Sequence, residues 1–98
     1  MPLLSFDSLS SQLPTSWKSS VVGQVGPARI KVLRMDKQAH AEESHDYNEA
    51  LLVTHGCLRL GIAGREVTVR AGQMYLVEAG LPHAVLPGSH GTLVIIDV

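Results

Sequence analysis

The chain is short of the features that usually announce a function. Its 98 residues include one cysteine, Cys57, so no internal disulfide is available, and a reducing cytoplasm is the expected compartment. Aromatic residues make up only 4%. Formal net charge is −1, which gives no electrostatic reason to expect nucleic acid or an anionic membrane as partner. No apolar run approaches the ~20 residues that a membrane-spanning helix needs. No basic start followed by an apolar block marks a signal peptide. No glycine-rich loop is built to cradle phosphate, and no nucleophile stands beside a base in a recognisable pattern.

What remains is an ordinary globular balance of 45% hydrophobic and 17% charged residues, enough for one domain with a modest core. The charges are segregated. Glu42, Glu43, Asp46 and Glu49 lie together with no Lys or Arg between them, whereas Lys18, Arg29, Lys31, Arg34 and Lys37 all precede them. The pattern reads as an acidic loop beside a basic strand face, and the acidic part attracts cations.

Residues 1–20 read as an N-terminal arm. Phe6, Leu9 and Leu13 permit a short amphipathic turn or helix, capped by Ser5 or Asp7 and ended by Pro14. Trp17 is expected to pack on the rest of the chain or on a second subunit. From Val21 the period becomes two, and residues 21–98 read as the main domain. Ala28, Ile30 and Val32 alternate with Arg29 and Lys31. Gln38 to Asn48 has no period and reads as a loop. Glu49 to Thr54 is a strand, His55-Gly56 a turn, and Cys57 to Ala63 another strand. Gly64 makes a tight hairpin into Glu66 to Arg70. Met74 to Val77, His83 to Leu86 and Thr92 to Val98 complete about eight short strands without a long helix. That pattern predicts an all-β sandwich or barrel.

Glu43, His45 and Glu49 are separated by even steps, so extended backbone can aim all three at one point. Glu49 shares its parity with Leu51 and Val53, which places a carboxylate on a buried face. Such a group needs a partner, and His45 and a metal ion are the candidates. Imidazole with carboxylate suits zinc, manganese, iron or nickel.

The same residues carry a resemblance. Glu43-x-His45-x3-Glu49-x6-Gly56 resembles the first motif of the cupin superfamily, with Glu43 where the family has its first His and Lys37 where it has its first Gly. Gly72-x5-Glu78-x-Gly80-x2-His83-x3-Pro87 resembles the second, with Glu78 for Pro and Pro87 for Asn. The resemblance runs from about Ala28 to Val98. It implies a double-stranded β-helix, or jelly-roll, barrel that brings His83 opposite His45 and Glu49. The implied metal set is His45, Glu49 and His83, with Glu43 as a fourth ligand. A divalent transition metal (zinc, manganese, iron or nickel) is then the expected cofactor. A small molecule is the expected ligand, and a homodimer the expected assembly.

The superfamily spans many functions, so three readings stand. One is a metal-dependent enzyme of oxygenase, isomerase or decarboxylase type. Another is a non-catalytic module that binds a small molecule or metal. The third is a structural barrel with a vestigial site, in keeping with the replaced family His, Pro and Asn. His40, His55 and His90 read as exposed or structural, Cys57 as a small buried thiol, Tyr47 and Tyr75 as packing residues, and Arg34 and Lys37 as solvated surface.

Overall fold

The fold is organised around one strand, β4, which runs unbroken from Glu49 to Ile62 and pairs with four others in a computed structural model that describes residues 3–98. Its first half pairs with β6 (Met74–Val77) and its second with β5 (Arg65–Arg70) and β7 (His83–Val85). On its other side lies β8 (His90–Asp97), which pairs in turn with β2 (Ala28–Asp36). Outside β2 comes β1 (Ser20–Val25), and β3 (His40–Glu43) pairs with β7. All these pairings are antiparallel. The outcome is the expected all-β jelly-roll barrel.

Two expectations about the strands require correction. His55-Gly56 is not a turn between strands. It is a bulge inside β4, where the register with β8 shifts between Val53 and His55. Gly56 takes a φ of 79° there and faces Gly91, at φ 103°. A Cβ on Gly56 would collide with the His90 carbonyl, and one on Gly91 with the His55 carbonyl, so two glycines are required. The bulge adds one residue and flips the parity of β4. Glu49, Leu51 and Val53 point inward before it, and Leu58, Leu60 and Ile62 after it. The strand thereby bends and keeps one apolar face on the core along its whole length. Secondly, the stretch read as loop contains β3, whose four residues are all exposed.

The turn at Ala63-Gly64 has positive φ at both residues, 51° and 75°, the geometry of a two-residue type I′ hairpin. The core lies between the sheet faces, with Val32, Val53, Leu58 and Leu60 fully buried.

α1 (Phe6–Gln12) forms as the apolar spacing predicts, with Ser5 at its N-cap, though without a side-chain cap bond. Its position is fixed by Arg34, which is not solvated surface. Its guanidinium donates to the Ser10 and Leu13 carbonyls at 3.0 and 2.8 Å and to Ser16 Oγ at 3.2 Å. These bonds add a charged donor at the helix end, where the Ser10 carbonyl also accepts the Leu13 N–H at 3.2 Å. They also deliver Trp17 to the barrel, where its backbone N–H donates to the Arg34 carbonyl at 2.9 Å. Cys57 is half-buried rather than enclosed, with Sγ 3.8 Å from His90 Nδ1.

Candidate metal centre

The local pairing that builds the site starts with Glu43 and His83, directly opposite each other on β3 and β7. The chain then leaves β3 through Ser44 to Asn48 and is stitched to the turn ahead of β7. Gly80 N–H donates to the His45 carbonyl at 2.7 Å, and Ala79 N–H to Asn48 Oδ1 at 2.8 Å. Those two bonds hold the first motif against the second. His45 is kept in plane by Tyr47, whose ring stacks on it at 4.9 Å and 8°.

Glu43, His45 and His83 converge, each offering a ligand atom within 4.8 Å of the others. His45 Nε2 is 3.5 Å from Glu43 Oε1, and His83 Nε2 is 3.9 Å from the same oxygen. Glu49, inward-facing as its parity predicts, is buried, with Oε1 3.5 Å from His83 Nε2. Its nearest imidazole is thus His83 rather than His45, and it stands beside the converging trio.

The decisive atom is His83 Nε2. His83 Nδ1 lies 3.0 Å from the Leu81 carbonyl, which can only accept, so the ring proton of the neutral imidazole sits on Nδ1. Nε2 is left with a bare lone pair, buried and without a hydrogen-bond partner, facing two carboxylate oxygens. Three electron-rich groups around one point repel unless a cation or a proton lies among them. A backbone carbonyl that fixes the tautomer, with the other nitrogen free, is also how histidine is prepared as a metal ligand. On this test the residues present fit a divalent transition ion.

Burial pushes the Glu49 carboxyl above its ordinary range, with His45 and His83 pulling the other way. The Tyr47 phenol is also raised, by desolvation first and then by Asp97 and Glu49.

The site opens on a cavity of about 200 Å³. Glu43, Glu49 and His83 line it, together with leucines of the core and Trp17. His40 is exposed, as expected, yet it belongs to the wall. Its ring meets Trp17 edge-on at 4.4 Å. His55 and His90 lie away from the cavity, at the β4–β8 bulge. Sequence reasoning missed the roles of Asn48, Arg34 and Asp97, and found Trp17 without its place. Asn48, beside the motif residue Glu49, was the only one whose position gave a signal.

An antiparallel jelly-roll barrel with a carboxylate–imidazole cluster at its mouth defines the cupin class. A family model described as a cupin domain matches residues 32–98, and the chain belongs to that family. Among solved structures it is similar to a cupin-2 domain containing protein from Shewanella frigidimarina, with TM-score 0.87 and 21% identity over 96% of this chain and 92% of that one. A protein from Neisseria meningitidis matches with TM-score 0.84 and 16% identity over 99% of each chain. A candidate mannose-6-phosphate isomerase from Ralstonia eutropha matches with TM-score 0.72 and 16% identity, over 88% of this chain and 86% of that one. At such identities the likeness speaks for the fold alone. A comparison with curated proteins finds no match.

Proposed function

We propose that the chain is a metal-binding cupin that holds one divalent transition ion at Glu43, His45 and His83, with Glu49 as the fourth donor, and acts on a small organic molecule in the adjoining cavity. The observation that carries this reading is the buried, partnerless Nε2 of His83 facing two carboxylates. A bound ion of this kind supplies Lewis acidity to an oxygen of the substrate. The chain's own residues do the rest. Leu81 fixes the His83 tautomer, Tyr47 fixes the His45 plane, and the leucines give the cavity an apolar inner wall. Isomerisation, named for the Ralstonia relative, is one reaction that such polarisation assists. Oxygenation and decarboxylation are others, and binding without turnover is the alternative.

The same reading treats residues 1–20 as an arm on a barrel of residues 21–98 and the protein as a cytoplasmic homodimer. The arm is supported by the Arg34 clasp. The dimer is supported by the edge strand β1, which exposes Val21 at 55% and Val25 at 68%. Light scattering tests it, and a 10.5 kDa particle would contradict it. No helix among the described residues is long and apolar enough to cross a membrane.

Elemental analysis tests the metal. Wild type, reloaded and desalted, is expected to retain nearly one ion per chain. His45→Ala and His83→Ala are expected to lose it, and His40→Ala, His55→Ala and His90→Ala to keep it. A wild type that retains none would leave a metal-free binding barrel as the better account.

A further inference from the structure

The sheet that carries Glu49 has a second face, which points away from the cavity. Leu33, Leu51, Leu93 and Ile95 line the cavity, so the residues that alternate with them look outward. The strand register sets those outward side chains in rows. Ile30, Ile96, Ala50 and Leu76 stand side by side across β2, β8, β4 and β6. Val94, Leu52 and Met74 form the next row. α1 packs over β2, β8 and β4, and its Asp7 carboxylate accepts from Thr54 Oγ1 at 2.8 Å. Val94, on the helix side, is 1% exposed. On the β6 side the cover is missing. Met74 and Leu76 are 50% and 52% exposed, and Ala50, Leu52 and Ile96 are only half-buried. Val98, outward like Ile96, adds a further exposed side chain. These residues are neighbours, so the bare apolar surface is continuous rather than scattered.

The charges indicate what covers it. Neither row holds a charged side chain, and Arg34, further along β2 on the same face, has its guanidinium taken by helix carbonyls and Ser16 Oγ. A face that meets its own copy across a twofold axis sets like residues near each other, so a charged face repels itself and a neutral one does not. An anionic lipid surface is a poorer match. No Lys or Arg follows Arg70, so β6, β8 and the turns beside them bring no base to it.

The edge of β1 also exposes valines, yet it is poorly built as a seam. Its register with β2 breaks between Val21 and Gly23, and such a bulge blunts an edge for pairing. Val21 pairs with Lys31 and Val25 with Ala28, which lie on opposite faces of β2, so the two valines share no patch.

We propose that the uncovered β4–β6 face seats a second copy of this chain across a twofold axis, with Met74 and Leu76 at the contact. The proposal rests on the reading of the protein as a homodimer and deepens it by naming the surface. The inner face of β4 then serves the site, and its outer face serves the partner.

Light scattering over a series of concentrations tests it. Wild type is expected as a particle of twice 10.5 kDa. Leu76→Glu, which sets like charges at the contact, is expected to raise the dimer dissociation constant at least about a hundredfold. Val25→Glu, the matching change on β1, is expected to remain a dimer. Circular dichroism checks that both variants are folded. A second measurement needs no variant. In ¹³C-methyl methionine spectra of wild type, the Met74 signal is expected to change as dilution splits the dimer, while that of buried Met35 stays in place. A folded Leu76→Glu protein that dimerises as tightly as wild type, or a Met74 signal indifferent to dissociation, overturns the proposal. If Val25→Glu breaks the dimer and Leu76→Glu does not, the homodimer survives with β1 as its seam. A wild type of 10.5 kDa at every concentration overturns the homodimer and this surface together.

Discussion

The chain buries two carboxylates at neighbouring places, Asp97 on β8 and Glu49 on β4, and treats them differently. Asp97 is 3% exposed and receives Lys31 Nζ at 2.7 Å, with Arg29 Nη2 at 3.5 Å. Glu49 is 8% exposed, and among the described residues its only close charged partner is an imidazole whose facing nitrogen carries no proton in the neutral ring. Burial is equal in kind, but only Asp97 is matched by a cation of the protein. The first is an internal fastening between β2 and β8. The second has only imidazoles near it, which is the basis of its proposed role as a metal ligand.

Removing the cation from the paired carboxylate gives the largest expected effect. Lys31→Met leaves Asp97 buried with only the longer, more exposed Arg29 contact, and should cost about 3 kcal/mol, the scale of breaking a buried pair from one side. Urea denaturation measures it. A loss below about 1 kcal/mol, the range of exposed pairs, would mean that Asp97 is not the structural member of the comparison.

Neutralising the carboxylate that has no protein cation beside it should do the opposite in metal-free protein. Glu49→Gln is expected to gain on the order of 1 kcal/mol near neutral pH, because no protein cation is lost with the charge. The same variant should lose most of its metal in a competition titration. A destabilised metal-free Glu49→Gln would move Glu49 into the structural class beside Asp97.

The pH dependence separates the two states of the site. The Glu49 carboxyl is raised by burial from its ordinary value of 4.5, so the folded chain binds a proton more tightly than the unfolded one. Between 4.5 and the raised value the folded state carries more protons, and stability falls as pH rises through that window. Metal loading should reverse the slope, since the ion binds the deprotonated carboxylate and neutral imidazoles. Thermal melts across pH, with and without zinc, check both signs. Glu49→Gln should flatten the metal-free profile.

The smallest effect belongs to histidines outside the site. His90→Ala should change stability by less than about 0.5 kcal/mol, the range of surface substitutions, and leave metal affinity unchanged. Its ring is exposed, and its hydrogen-bond partners among the described residues are Cys57 Sγ and the Gly88 carbonyl.

The sequence made the barrel legible because its strands alternate, and it made Glu49 legible for the same reason, through parity with Leu51 and Val53. The shared aim of Glu43 and His45 was read from their even spacing, and only the arrival of His83 beside them followed from the motif resemblance. β3 was hidden because its four residues are all exposed and three of them are charged or polar. Pairing with β7 makes it a strand, and no apolar face marks it. Gly56 looked like a turn because glycine has one letter for two uses. Only the facing Gly91, brought opposite by β8, turns it into a bulge. The division between Asp97 and Glu49 was illegible for a longer-range reason, since the lysine that satisfies Asp97 lies 66 positions away. Trp17 shows the same limit, because its place in the cavity wall depends on Arg34.

The central claim is that His83 presents a bare Nε2 to two carboxylates so that a metal ion can join them. The nitrogen shifts of the His83 ring, read by long-range ¹H–¹⁵N correlation in mildly alkaline buffer before and after addition of zinc, address it directly. The expected result is an Nδ1–H tautomer with unprotonated Nε2 in the metal-free protein, and a large change confined to Nε2 as one equivalent of zinc is bound. A ring protonated on both nitrogens and unmoved by zinc would contradict the account, since a proton would then be the cation between Glu43, Glu49 and His83.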